Sequence, residues 1–225
     1  MVSVYGKMTK NLYIVGAGGF GREVFSWARQ SMDWDEDFVF SGFLDDNPKA
    51  LAGLSGYGSG VVGKVLDFNP GDDDRFILAI GWPEPKRATT EILLGRGAIF
   101  ESVIHPNVVL GANVKLGQGV VVCPGAVISS DAEVEGFVGI NMHATVSHDV
   151  RIGAFSQLSS YVDLTGCVEV GEGVFLGSHS SVLPGVKVGA GATVGAGAVC
   201  VHDVPEGSTV TGVPAKVLTM DKAAK

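Results

Sequence analysis

Positive charge is scarce in this sequence: 16 lysines and arginines stand against 24 acids, a formal net charge of −8. A chain so acidic does not hold nucleic acid by general electrostatics, although it can bind a phosphate locally. Long apolar runs are missing too. No stretch approaches the roughly 18 apolar residues of a membrane span, and MVSVYGKMTK has no apolar core behind its charges to act as an export signal. A cytoplasmic chain with neither a nucleic-acid nor a membrane partner is expected. Cysteine is rare: Cys123, Cys167 and Cys200 are odd in number and show no CxxC spacing, so reduced thiols are expected rather than a disulfide framework. Disorder is excluded as well, because 46% of the residues are hydrophobic and only 18% charged.

What the sequence has is a repeat. From Ile104 through Leu110, Leu116 and Val122 to Cys200, an aliphatic or near-aliphatic residue returns at every sixth position without a slip. Four residues after each comes a small or β-branched one, as at Val108, Val114, Ala126 and Ala132. A period of six fits neither a helix nor a lone strand; it belongs to hexapeptide β-helix repeats. Three hexads make one triangular coil, so residues eighteen apart stack in a column with strands ~4.8 Å apart. Glycine often follows the aliphatic position, as in LGANVK and VGEGVF, where a chain turning a corner favours a residue without Cβ. Cys200 takes an interior position as a small hydrophobe. The pattern resembles the hexapeptide-repeat acyltransferases, and that resemblance implies a left-handed parallel β-helix.

Ahead of the repeats, strands and helices alternate. Residues 1–10 read as an extension. NLYIVGAGGFGREVFSWARQ is a strand from Leu12 to Val15, a Gly-rich turn and a helix from about Phe20. The glycines let a bound group come close and the helix start offers unpaired N–H donors for an anion, although a tight turn in an unliganded unit has the same sequence. FVFSGFLDD is a second strand ending in Asp45 and Asp46, placed where ribose or base groups are read in such folds, or equally a solvated turn before Asn47 and Pro48. VVGKVLD is a short helix or strand. RFILAIG is a third strand with Gly81 at its carboxyl end, and PEPKRATTEILLGRG a helix opened by proline and closed by glycine. The expectation is a small Rossmann-like α/β domain over 11–97 with its crevice beside GAGGFG, Asp45 and Gly81, a β-helix over 98–205, and a cap and tail over 206–225 in which GVPAK covers the open end.

Five histidines remain to be placed. His148, in VSHDVR, stands two positions after the interior Val146 and therefore on the outside, next to Asp149. Imidazole titrates near neutral pH, and a neighbouring carboxylate can fix its tautomer and raise its basicity. An exposed, idle histidine would look the same. Neighbours on an extended chain point apart, so this contact needs a bend at the corner. His143 shares a column with Tyr161 and His179 and reads as a surface stack that can line a cleft. His105 reads as structural at the domain junction and His202 as solvated.

Taken together, GAGGFG, FLDD, AIG, NMHATVSHDVRIGAFSQLSS, LGSHSSVLPGVKVG and GVPAK resemble the PglD/NeuD-type sugar acetyltransferases over almost the whole chain. The resemblance implies a nucleotide-sugar-binding domain joined to a β-helix acetyltransferase domain, a homotrimer, and transfer of acetyl from acetyl-CoA, the co-substrate, to the amine of a nucleotide-linked amino sugar of the 4-amino-4,6-dideoxy kind. By the same resemblance His148 is the general base, Asp149 its partner, and Asn141 lies near the acceptor sugar. Gly18, Gly19, Phe20 and Gly81 meet the nucleotide sugar, Asp45 and Asp46 its base, and Gln157, Gly166, Ser178 and Ala196 meet acetyl-CoA. Gln157 is a departure, because many relatives carry a second histidine there. A glutamine amide donates a hydrogen bond but does not titrate.

Three other readings compete. Sialic acid-type sugar O-acetyltransferases share the architecture and present the same base to a hydroxyl. A β-helix without activity would be a binding protein with no affinity for acetyl-CoA. Gamma-class carbonic anhydrases hold zinc through one histidine two coils before a second and a third five residues after it. Here His143 and His148 have the offset of five, but two coils before His143 stands Asn107, and five after His179 stands Pro184. The pattern fails in both registers, so no metal is expected.

Overall fold

A computed structural model describes residues 9–32 and 36–218. Most of the expected N-terminal extension, the centre of the acidic linker and the end of the tail lie outside the described residues. The first unit is a parallel sheet of β1 (Lys10–Val15), β2 (Phe38–Leu44), β3 (Val61–Gly63), β4 (Asp74–Leu78) and β5 (Ile99–Phe100), in the order β3-β2-β1-β4-β5. Helices α1 (Gly19–Ser31) and α2 (Pro83–Leu94) make crossovers. Leu12, Ile14 and Val15 expose no surface, which is why this apolar run sits at the centre of a two-sided sheet. Strand order reverses between β1 and β4, so the crevice lies at their carboxyl ends. GAGGFG follows the first and Gly81 the second, and both border it as expected. VVGKVLD proves to be both of its alternatives, β3 followed by a 3₁₀ turn at Val65–Asp67. Two details differ from expectation: β1 begins at Lys10, and Ile99–Phe100, read as a lead into the repeats, pairs with β4 as a fifth strand.

Beyond Phe100 each hexad makes a two-residue strand and a turn. Pairing joins residues one coil apart, such as Val121 with Gly139 and Gly139 with Gln157. The result is a left-handed parallel β-helix of three sheets. Its aliphatic column faces inward: Ile128, Ile140, Ile152 and Leu158 are 1% exposed or less, each burial stabilising by ~1.5–3 kcal/mol. Corner geometry falls elsewhere than expected. Left-handed backbone occurs on the third residue after the aliphatic one, with φ between 56 and 62° at Asp131, His143, Asp149, Tyr161, Cys167 and His179. Glycine directly after the aliphatic residue answers close stacking instead, since a Cβ on Gly111 would stand 2.5 Å from the Ser130 amide of the next coil.

The three faces differ in what their outward residues meet. The covered face, which starts at Val103–Ile104, packs on the N-terminal domain: Val103, Val121 and Cys123 share an apolar cluster with Leu12, Ile14, Val24 and Phe25. Phe100, Phe137 and Phe155 continue this junction, with successive ring centroids 5.3 Å apart. The charged face points Lys115, Glu133, Arg151, Glu169 and Lys187 outward with alternating sign, Lys115 reaching Glu133 at 2.7 Å and Lys187 reaching Glu169 at 3.0 Å. The third, small-residue face presents Val109, Val127, Thr145, Asp163, Ser181 and Val199. On it Val109 and Val127 are 60% and 38% exposed.

At the open end, Thr209–Thr211 and Lys216–Val217 form an antiparallel hairpin around GVPAK. The Ala215 N–H donates to the Val199 carbonyl at 2.8 Å and the Val199 N–H to the Gly212 carbonyl at 3.0 Å, so this turn seals the last rung. His105 is structural: it is 5% exposed, its Nδ1 accepts from the Asn107 N–H at 3.1 Å, and its Nε2–H therefore donates to Gln30 Oε1 of α1 at 3.1 Å. All three thiols are free. Among the described residues no helix is long and apolar enough to cross a membrane.

One charged group is buried in the junction. Lys86 of α2 is 2% exposed, and its Nζ donates to the Ser156 carbonyl at 3.2 Å and to Gln157 Oε1 at 2.9 Å, both neutral acceptors. Desolvation lowers its pKa from 10.5 to about 7. The unfolded chain keeps this proton to about pH 10 while the folded chain sheds it near 7, so stability from this residue rises with pH across that window. Below it the burial costs ~5 kcal/mol at the upper bound. Lys86→Met is expected to raise the urea midpoint at pH 7, less the cost of two unpaired acceptors, and to flatten the rise between pH 7 and 10. Parallel pH profiles for variant and parent would contradict this.

Candidate active site

His148 and Asp149 occupy the corner between the small-residue and charged faces. The backbone there is pinned by its neighbouring coils: Ser147 N–H donates to Leu164 O, Asp149 N–H to Ser130 O and Cys167 N–H to His148 O, at 2.9, 3.2 and 3.0 Å. The bend that the sequence required is the left-handed Asp149, φ 59°. It swings the carboxylate back so that Oδ2 lies 2.8 Å from His148 Nδ1. With an ionised carboxylate as acceptor, Nδ1 carries the hydrogen and Nε2 keeps its lone pair for a proton. Both side chains are more than half exposed, at 62% and 58%, so the couple is open to a ligand.

Gly166 lies one coil above. A Cβ there would stand 2.7 Å from both Cε1 and Nε2 of His148, so the glycine leaves room for the ring. Among the described residues the Gly166 N–H donates to no acceptor. The next residue, Cys167, is the sole exposed thiol, and His148, Asp149 and Cys167 bring a nitrogen, an oxygen and a sulfur within 4.8 Å of one another. The sequence reading missed this meeting, although adding one coil to Asp149 gives Cys167.

Asn141, Ser178 and Ala196 lie at a second corner, between the covered and small-residue faces. Asn141 Oδ1 accepts from the Met142 N–H at 2.8 Å. Met142, like Phe20, packs on the apolar cluster that joins the β-helix to the N-terminal domain. The expected surface stack is present: His143, Tyr161 and His179 lie ring over ring, with centroids 5.1 and 4.7 Å apart and tilts of 19° and 4°. Gln157 joins neither corner. It points outward from the covered face, is 3% exposed and is bonded to Lys86. The domain that lies on this face removes it from solvent, so the structure does not bring it to His148.

In the crevice the glycines divide by role. A Cβ on Gly21 would stand 1.9 Å from the Gly16 carbonyl, and one on Gly16, φ 101°, would meet the Ala79 carbonyl at 2.7 Å, so these two permit the turn itself. Gly18 and Gly81 face open space, and Gly19 nearly so, with only Arg22 Nη2 at 3.9 Å. The first N–H groups of α1 lack intrahelical acceptors, and no side chain caps them. Arg22, missed in the sequence, adds a cation beside them, and its buried Nε has no partner among the described residues. Asp45 is already engaged, accepting from the Ala17 and Asn47 N–H groups at 2.7 and 2.8 Å. Asp46 is exposed and accepts only from Val65, at 3.2 Å.

A cavity of about 750 Å³ lies elsewhere, beside Trp82, Arg87, Glu172 and Phe175. Trp82 stacks on Phe175 at 4.3 Å there, and Arg87 pairs with Glu172, an ion pair in place of the imidazole-carboxylate couple at His148. Because the ring of His148 rests on a glycine, Gly166→Ala is expected to push it aside. Turnover in the acetyl transfer that the resemblance implies should fall ~10²-fold with little change in melting temperature. Unaltered turnover would contradict the positioning role.

Comparisons with known proteins agree with this geometry. The family profile described as PglD N-terminal domain matches residues 11–93, and the bacterial transferase hexapeptide profile matches 167–202. No curated protein sequence matches. The acetyltransferase domain of PglB from Neisseria gonorrhoeae is 31% identical with a TM-score of 0.83, the match covering 93% of this chain and all of that one. PerB from Caulobacter crescentus, solved with CoA and GDP-perosamine, is 32% identical over 93% of this chain and 97% of its own, with a TM-score of 0.80. WeeI from Acinetobacter baumannii is 28% identical over 93% of this chain and 100% of its own, at 0.82. Because relatives 31% and 32% identical match 93% of it and both profiles fall on its two parts, the chain belongs to the PglD-type sugar acetyltransferases of the hexapeptide-repeat superfamily.

Proposed function

We propose that the protein transfers the acetyl group of acetyl-CoA to the amine of a nucleotide-linked amino sugar, a 4-amino-4,6-dideoxy sugar, and that it does so as a homotrimer. The observation that carries this reading is the His148 and Asp149 couple, 2.8 Å apart on an open corner. Relatives solved with acetyl coenzyme A, and with CoA and GDP-perosamine, support the substrate classes.

In this mechanism the sugar amine attacks the thioester carbonyl and His148 Nε2 takes its proton. The C–S bond then breaks, and the proton held on His148 passes to the sulfur, so CoA leaves as the thiol and the base is restored. Asp149 holds Nδ1–H and stabilises the imidazolium as it forms. Such assistance contributes typically 10² to 10⁴ in rate. The unengaged Gly166 N–H is the donor for the oxyanion. In the crevice, the start of α1 and Arg22 face the diphosphate. Asp46 is the carboxylate left for the nucleoside, while Asp45 braces the loop.

The prism decides where this chemistry happens. The His148 corner is opposite the covered face, so within one chain the crevice and the base point apart. The small-residue face lies between the two corners and, unlike the charged face, carries little that resists burial. Packing that face against a second copy would set Asn141, Ser178 and Ala196 of one protomer opposite His148 and Gly166 of another. A seam of this kind is long enough for the pantetheine arm.

Thiol release should be followed with acetyl-CoA and UDP-, dTDP- or GDP-linked amino sugars, with free sialic acid as the hydroxyl acceptor. A nucleotide-linked amine is expected to be acetylated, and His148→Asn to lower kcat 10²- to 10⁴-fold with an unchanged circular dichroism spectrum. Turnover on sialic acid alone, or near-parental activity in the variant, would overturn the reading.

A further inference from the structure

We propose that His148, Asp149 and Cys167 form a zinc-binding site whose occupancy switches the enzyme off. The inhibitory half rests on His148 being the base; the binding half does not. Three ligand types converge here, an imidazole nitrogen, a carboxylate oxygen and a thiol sulfur, all within 4.8 Å of one another. That donor set suits zinc, which binds nitrogen, sulfur and oxygen ligands in tetrahedral sites. No other group of three such ligands stands together among the described residues.

The cluster is a consequence of coil stacking. Asp149 and Cys167 are the same corner position on successive coils, with φ 59 and 60°, and the Cys167 N–H to His148 O bond locks the two rungs together. Asp149 Oδ2 already lies 2.8 Å from Nδ1, and the ring rests on Gly166, the residue before Cys167. Zinc held between Nδ1, the Asp149 carboxylate and the Cys167 sulfur takes the place of the Nδ1 hydrogen. The neutral ring then carries its hydrogen on Nε2, which no longer has a lone pair for the proton of the attacking amine, and the thiol gives up its proton as sulfur binds. All three residues are exposed, so the ion can reach them. Cys123 and Cys200 are buried, and burial pushes both thiols up, the first well beyond its ordinary range.

The test uses chelator-treated full-length protein, calorimetry with zinc, and cobalt as a spectroscopic probe. The parent should bind about one ion per protomer and show a thiolate-to-cobalt charge-transfer band. Cys167→Ser should lose that band, bind zinc at least tenfold more weakly, keep its metal-free acetyl transfer, and need at least tenfold more zinc for half inhibition. Equal zinc affinity in parent and Cys167→Ser, or no binding by the parent, would overturn the site. Binding without inhibition would overturn the switch alone. Calorimetry and the cobalt spectrum read out even if the acetyl-transfer reading fails.

Discussion

Each rung of the β-helix hydrogen-bonds to the rung one coil away, and this ladder determines which residues can meet. Asp149 is 149 steps into the chain yet has as its close partners Ser130, His148 and Cys167, one on each adjoining coil and one beside it. The same stacking sets the steric rules. Two bulky side chains rest on a glycine of the neighbouring coil, His148 on Gly166 and Gln157 on Gly139. Corner residues accept a left-handed backbone, otherwise disfavoured by ~1–2 kcal/mol, because the ladder on both sides holds it there.

A triangular section has a further consequence. One face is covered by the α/β domain, one is a ladder of alternating charge, and one is left with valine, threonine, serine and Asp163, whose carboxylate accepts from Thr145. The base couple and the nucleotide crevice end up on opposite sides of the same chain. In the proposed trimer a second protomer brings the two halves together. Lys86 and Gln157 belong to the device that keeps the crevice fixed: an amine and an amide paired in the junction, where burial makes the amine easy to neutralise.

Much of this was legible in the sequence because six-residue periodicity has one physical solution. The position of His148 outside, its need for a bent neighbour, the His143, Tyr161 and His179 stack, and the GVPAK cap all follow from counting. What counting does not contain is which face the first domain covers, since all three faces share one period. The resemblance set Gln157 against acetyl-CoA, whereas the domain buries it. Glycine after the aliphatic position was assigned to the corner, yet a close approach to the next coil is what demands it. Asp45 at the end of a strand looks the same whether it meets a ligand or braces the Ala17 amide. Arg22 gave no sign because a helix pattern does not say which way an arginine reaches. Cys167 was read as a reduced thiol and not followed along its column.

Mixed assemblies test the division of the site between protomers most directly. His148→Asn removes the base from one chain and Gly19→Trp fills the crevice of the other, so each homotrimer should be inactive. Co-expressed with different tags and purified as hetero-assemblies, the two are predicted to recover acetyl transfer, because an intact crevice faces an intact His148 on its neighbour. Hetero-assemblies as inactive as their parents would contradict the account.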